Sequence, residues 1–165
     1  MGASDLRLDN DFFVFRYTQV LMMKAECLLR TGQADAAATI VTQVRQRAFK
    51  SNPSKAAITG AQLTADSKYP WGYYAEDYAF TKGTLQKSAA DVAPVQYGGM
   101  YDEIGREFAC ELMRRRDMIR FGTWNTKSWF GHQPSTTDQS GASKIFPIPQ
   151  SAMNSNPNLV QNSGY

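Results

Sequence analysis

Apolar residues recur at helical spacing through the first fifty positions of the chain. From Phe12 to Arg30 they cover most of a helix circumference, with Val20, Leu21, Met23, Cys27 and Leu28 as the expected buried set. Such a pattern predicts a helix with neighbours on more than one side. Gly32 ends it, and Ala34 to Phe49 follow as a second helix with Ala37, Ile40, Val41 and Val44 on one face. Asp35 falls in its first turn, where a negative charge suits the helix dipole. A third helical pattern runs over 101–123. Ile104, Phe108, Leu112 and Ile119 share one stripe, Glu103, Glu107, Glu111 and Arg114 another, and Gly122 supplies the stop.

Ala25, Gly32 and Ala37 stand at the spacing of small residues in a tetratricopeptide hairpin, where small side chains let neighbouring helices approach closely. At least about three such units are normally needed for a stable stack, so one hairpin is expected to pack on further helices. Met1, Gly2, Ala3 and Ser4 lead directly into the first helical pattern, which reads as an internal start: the chain is expected to be a piece of a longer protein. The fold class expected is all-α: a tetratricopeptide-like hairpin, further helices, long irregular loops and an extended C-terminal tail. One domain is expected over 1–165. It comprises a hairpin at 5–50, a loop-rich aromatic insertion at 51–100, a charged amphipathic helix at 101–123, and a loop with an extended tail at 124–165.

Residues 51–100 are broken by Asn52-Pro53, Tyr69-Pro70, Ala93-Pro94 and Gly98-Gly99, leaving room for short helices around Gln62 and from Tyr74 to Gln86. Within them Tyr69, Trp71, Tyr73, Tyr74, Tyr78 and Phe80 crowd together. Aromatic rings of this kind either form the loop's own core or offer faces to a ligand. The core reading is the simpler one. As ligand contacts the candidates are Trp71, Tyr73, Tyr74, Tyr78 and Trp129, and the same choice applies to Trp124. In the tail, Pro147 and Pro149 alternate with Phe146 and Ile148, which predicts extended backbone with apolar side chains pressed onto the domain. Ser151 is placed to cap a short helix, and Asn156-Pro157 to start a turn.

Hydrophobic content of 42% with 20% charged residues is ordinary for a globular chain, and the net charge of +3 is small. Its cations are scattered apart from Arg114 to Arg116, so a nucleic-acid surface is not expected. No apolar run is long enough to span a membrane. Cys27 and Cys110 lie far apart without a CxxC spacing and read as free thiols. His132 is the lone histidine. It sits in a loop-like segment, which argues against a zinc site or a histidine-based nucleophile. No metal and no cofactor are expected. The paired carboxylates of 102–122 raise the question of a glycosidase, but the stretch also carries five arginines. Neighbouring guanidinium groups keep a carboxylate ionised, the wrong direction for a general acid. Glu103, Glu107, Glu111, Arg114, Asp117 and Arg120 therefore read as a structural ion-pair network.

Three ordered blocks carry a resemblance to a known family. The first is ATIVTQVRQRA, with Ala38, Val44, Arg45, Arg47 and Ala48. The second contributes Asp102, Glu103, Gly105, Arg106, Glu107, Glu111, Arg114, Asp117, Ile119, Arg120, Phe121 and Gly122. The third contributes Pro147, Ile148, Pro149, Asn156, Pro157, Leu159, Gln161, Asn162, Gly164 and Tyr165. Together they resemble the C-terminal portion of the SusD/RagB family. Departures from its pattern are Val41, Thr42, Ile104, Ala152, Ser163 and Leu112, the last standing where the family has glycine. The resemblance implies a non-catalytic, glycan-binding lipoprotein of the outer membrane in Bacteroidetes-type bacteria, displayed on the cell surface. It would deliver oligosaccharide to a SusC-like, TonB-dependent transporter and attach to the membrane through a lipid anchor upstream of this chain. A tetratricopeptide-type scaffold that binds protein and, further off, a glycoside hydrolase are the alternatives.

Overall fold

Tyr17–Arg30 form α1 and Ala34–Gln46 form α2, joined by a turn in which Gly32 adopts a φ of 83°. The computed structural model describes residues 14–74, 86–87, 93–129, 132–134 and 140–165. At the end of α1, Gln33 N–H reaches back to Leu28 O at 2.8 Å and Gly32 N–H to Leu29 O at 3.1 Å. These bonds satisfy the last carbonyls of the helix, and the left-handed residue between them favours glycine. A Cβ on Gly32 would meet nothing within 4 Å, so the glycine is there for its φ rather than for close helix packing. Ala25 and Ala37, fully buried, are the small residues of the helix contact.

The described chain gathers into two compact units, Met1–Gly60 and Ala61–Tyr165. In the first, Met22, Ala25 and Leu29 of α1 are buried with Ala37, Ala38, Val41 and Val44 of α2. The buried face of α1 is thus not the set expected from the sequence: Val20 and Met23 are 43% and 44% exposed, and Cys27 is exposed. Leu21 and Leu28 are half-buried. With apolar residues on most sides of the helix, the partner helix decides which stripe is covered, and here it is the stripe through Gln19, Met22, Ala25, Glu26 and Leu29. Glu26 is tolerated there because Arg30 pairs with it at 2.8 Å, one turn on. After α2, Arg45 donates to the carbonyls of Lys55 and Ala56, both at 2.8 Å, and so fixes the 3₁₀ turn Pro53–Ala56.

Helix α3 (Gly60–Thr64) has all but its first residue in the second unit, which continues to a two-residue antiparallel ladder, β1 (Tyr73–Tyr74) against β2 (Gln86–Lys87). Tyr74 and Gln86, the ends of an expected short helix, are therefore extended and face each other across the ladder. α4 (Gly98–Glu107) and α5 (Arg114–Arg120) follow, then a 3₁₀ turn at Ala142–Lys144 and α6 (Gln150–Ser155). The stretch 101–123, expected as one helix, is thus two. Cys110 and Leu112 take positive φ of 65° and 59° between them, which no continuous helix permits. Ile104 and Phe108 are buried as expected, whereas Leu112 is 83% exposed. Gly122, with φ 73°, ends α5 by the same bond pattern that ends α1.

The fold is all-α in character. Among the described residues no helix is long and apolar enough to cross a membrane. The core of the second unit is aromatic: Trp71, Val95, Tyr101 and Met118, with Phe121, Trp124 and Trp129 packed against them. The tail departs from expectation in two places. Phe146 is 72% exposed rather than pressed inward, its ring covered by the Arg115 guanidinium at 4.4 Å. α6 starts at Gln150 behind Pro149, one residue ahead of the expected Ser151 cap.

Candidate ligand-binding site

The segment from Asp66 to Gly72 is held onto α4 by one carboxylate. Asp102, 8% exposed, accepts the Ser67 hydroxyl at 2.6 Å on one oxygen and the Lys68 N–H at 2.8 Å on the other. Ser67 Oγ in turn accepts the Trp71 indole N–H at 3.0 Å and the Tyr69 N–H at 3.2 Å. A second acid, Asp66, draws in the next strand of chain by accepting from the Val95 N–H at 2.7 Å. A buried carboxylate that receives this many donors is a strong local anchor. Here it fixes Lys68, Tyr69 and Pro70 at the rim of α4.

Trp71 lies inside this turn, 9% exposed, stacked on Tyr101 with ring centroids 5.6 Å apart. Trp129 meets its edge at 6.3 Å and Tyr69 tilts against it at 4.7 Å. Arg114 lies over the Tyr101 ring at 3.9 Å and within 5.9 Å of Trp71, and donates to the Tyr101 carbonyl at 3.2 Å. Gly105 makes room for it, since a Cβ there would lie 2.6 Å from the Arg114 Nη1. Tyr101 itself is fully buried, with its phenol 2.8 Å from Thr123 Oγ1. Burial pushes the Tyr101 phenol up to about 12, against the opposing pull of the Thr123 hydrogen bond and the Arg114 charge.

These residues leave a cleft of about 380 Å³ lined by Lys68, Tyr69, Pro70, Asp102, Gly105, Arg106 and Arg114. Tyr69, 39% exposed, is the ring at its surface. A larger hollow of about 470 Å³ in the first unit is lined by Asp35, Ala38, Thr39, Thr42, Gln43, Gln46, Ile58 and Thr59. It offers hydroxyls and amides but no aromatic face. The Thr39 hydroxyl, moreover, donates to Asp35 O at 3.0 Å, and Thr42 Oγ1 accepts the Ile58 N–H at 3.2 Å. The smaller cleft, with a ring, cations and a fixed rim, has the chemistry of a binding site.

The sequence candidates fall unevenly around it. Trp71 is beneath the cleft as part of the core. Trp129 is half-buried, with His132 stacked on its face at 3.8 Å and Trp124 at 5.6 Å. Trp124 has Arg115 over its ring at 5.0 Å and its indole N–H on Ser143 O at 3.1 Å. Tyr73 and Tyr74 form β1, and Tyr78 lies outside the described residues. Lys68, Tyr69 and Arg106, which line the cleft, were not singled out as ligand contacts from the sequence. Of the expected ion-pair network, Glu103 pairs with Arg106 at 2.7 Å, and Asp117, 1% exposed, pairs with Arg116 and Arg120 at 3.1 Å. Arg114, placed in that network by its spacing, makes its contacts with aromatic rings and a backbone carbonyl. Glu107 and Glu111 are each engaged in an interaction of their own. Among the described residues no cluster of three or more histidines, cysteines or carboxylates could hold a metal ion.

The SusD family model matches residues 3–165, nearly the entire chain. The chain belongs to the SusD family. Among curated proteins it resembles the starch-binding protein SusD of Bacteroides thetaiotaomicron, with 39% identity over 70 residues. That match takes in 40% of this chain and 13% of the length of SusD. No solved structure shows a significant match.

Proposed function

We propose that this SusD-family protein binds glycan at the bacterial outer membrane and hands oligosaccharide to a SusC-like, TonB-dependent transporter, without cleaving it. The observation that carries the reading is the family match over residues 3–165, joined by similarity to a starch-binding relative. Attachment at the cell surface through a lipid anchor completes the reading. The non-catalytic character is supported by the state of the buried carboxylates of α4 and α5. Asp102 has both oxygens occupied by donors, and Glu103 and Asp117 are each held by arginine. Carboxylates already committed to internal donors are not placed to meet a glycosidic oxygen.

The ligand contacts are proposed to come from the aromatic residues Tyr69, Trp71, Tyr73, Tyr74, Tyr78 and Trp129, of which Tyr69 lines the cleft. A pyranose ring presents an apolar face of C–H groups that stacks on such rings. The test is affinity electrophoresis of the full-length protein through gels containing a panel of polysaccharides, with the soluble fraction assayed for released reducing ends. Retarded migration without release is expected, and weaker retardation for Tyr69→Ala. Unretarded migration across the panel, or sugar release, would overturn the proposal. Co-purification of a TonB-dependent transporter from solubilised outer membranes tests the delivery step.

A further inference from the structure

The cleft over α4 is cationic as well as aromatic. Lys68, Arg106 and Arg114 line it, with Asp102 as the lone acid in the lining. Asp102 is turned inward, both of its oxygens taken by Ser67 and Lys68 N–H, and Arg106 is balanced by Glu103 at 2.7 Å. That leaves Lys68 and Arg114. Among the described residues neither pairs with a carboxylate, and the single hydrogen bond Arg114 makes there goes to the Tyr101 carbonyl. A guanidinium carries donors in a flat fork that fits a carboxylate from one side. With one face against Tyr101 at 3.9 Å and with Gly105 keeping the approach open, the remaining edge of Arg114 borders the cleft.

We propose that this cleft selects an acidic saccharide: the carboxylate of a uronic-acid residue bridges Arg114 and Lys68 while its ring stacks on Tyr69. The inference rests on the glycan-binding reading and narrows it to a ligand class. Tyr69 supplies the apolar contact common to all pyranoses, and the cations supply the discrimination. A neutral sugar in the same place leaves Arg114 and Lys68 without a counter-charge in a partly desolvated cleft, so the preference arises from charge complementarity rather than from contact area.

The experiment titrates the full-length protein calorimetrically with an oligogalacturonide and with a maltooligosaccharide of equal length, at low and at high salt. The acidic probe is expected to bind at least about tenfold more tightly at low salt, with the margin shrinking as salt screens the cleft. Lys68 is exposed, so Lys68→Glu is the variant that folds normally. It is expected to weaken the acidic probe about tenfold more than it weakens the neutral one. Arg114→Lys, which keeps the charge and loses the fork, is expected to fall between. Equal binding of both probes would overturn the inference while leaving glycan binding intact. Binding of neither would remove both. Tighter binding of a sulfated oligosaccharide than of the uronate would overturn the carboxylate assignment.

Discussion

The side-chain amide of Gln161 pairs with the backbone of Ile148 at both ends: Ile148 N–H donates to Oε1 at 2.8 Å, and Nε2 donates to the Ile148 carbonyl at 2.9 Å. An amide side chain thus supplies the pairing that a neighbouring strand would give, and among the described residues Ile148, flanked by prolines, pairs with no strand. Asn162 continues the clamp by donating to Phe146 O at 2.7 Å, and the Tyr165 hydroxyl donates to Ile145 O at 2.9 Å. Gly164 closes against Ala142, where a Cβ would approach the Ala142 Cβ to 2.4 Å. The motif Gln-Asn-Ser-Gly-Tyr is therefore a latch that folds the chain end back on the 142–148 segment.

Gln161→Ala is expected to open this latch. The loss of three partly buried hydrogen bonds, including that from the Asn162 N–H to Oε1 at 2.9 Å, costs about 2–3 kcal/mol, and Ile148 is left with both backbone groups unmatched. Urea denaturation measures the cost, and digestion with a carboxypeptidase should trim the variant faster than the parent. Equal trimming rates would show that the latch does not hold the tail. Gln161→Glu keeps the acceptor but sets a carboxylate against the Ile148 carbonyl, so it is expected to be worse than alanine.

Leu112 sits at a φ of 59° and is 83% exposed. A left-handed conformation costs an L-residue about 1–2 kcal/mol, whereas glycine adopts it freely at an unfolded-state entropy cost of about 0.5–1 kcal/mol. With almost no burial to lose, Leu112→Gly is expected to stabilise the protein by roughly 0.5–1 kcal/mol. Leu112→Val should destabilise it, because a branched Cβ tolerates positive φ poorly. Thermal melts of the two variants separate by sign, and a destabilised glycine variant would contradict the strain assignment.

The same residue explains why the charged stretch has the sequence pattern of one helix and the structure of two. Leu112 continues the apolar stripe of Ile104 and Phe108, so periodicity alone runs straight through the turn, and the glycine in the family pattern was the signal for a break. Helices α1 and α2 were legible because their spacing and Gly32 agree. The buried stripe of α1 was not, since apolar residues surround it and only the partner helix chooses among them. Tyr69 stood out only as one of a crowd of aromatic residues, and Lys68 gave no sign of its place at the cleft. They reach α4 through Asp102, and a sequence does not reveal which donors a lone aspartate gathers from thirty-odd positions away.

Asp102 is the residue on which the cleft's geometry depends. Replacing it by alanine leaves the Ser67 hydroxyl and the Lys68 N–H without their charged acceptor, which is expected to cost about 2–3 kcal/mol. Binding should weaken along with stability, because Lys68 and Tyr69 lose their fixed positions. Ser67→Ala removes one of the two bonds and is expected to fall midway in both measurements. An Asp102→Ala protein with unchanged unfolding and unchanged saccharide affinity would show that the turn is held by other contacts.

Tyr101 gives the protein a defined weakness in alkali. Its phenol, fully buried against Thr123, is pushed up to about 12, while a phenol in the unfolded chain ionises near 10. Between those values the unfolded chain has released the proton and the folded chain still holds it. Stability is then complete below pH 10 and falls as pH rises through 12, by about 1.4 kcal/mol per unit and roughly 2–3 kcal/mol in all. Tyr101→Phe removes the titration and loses the hydrogen bond to Thr123, so it is expected to start about 1 kcal/mol less stable and to decline less steeply. Denaturation midpoints for parent and variant, followed from pH 8 to pH 12 beside phenolate absorbance, should converge or cross in the alkaline range. Parallel slopes would show that burial does not hold the proton on Tyr101.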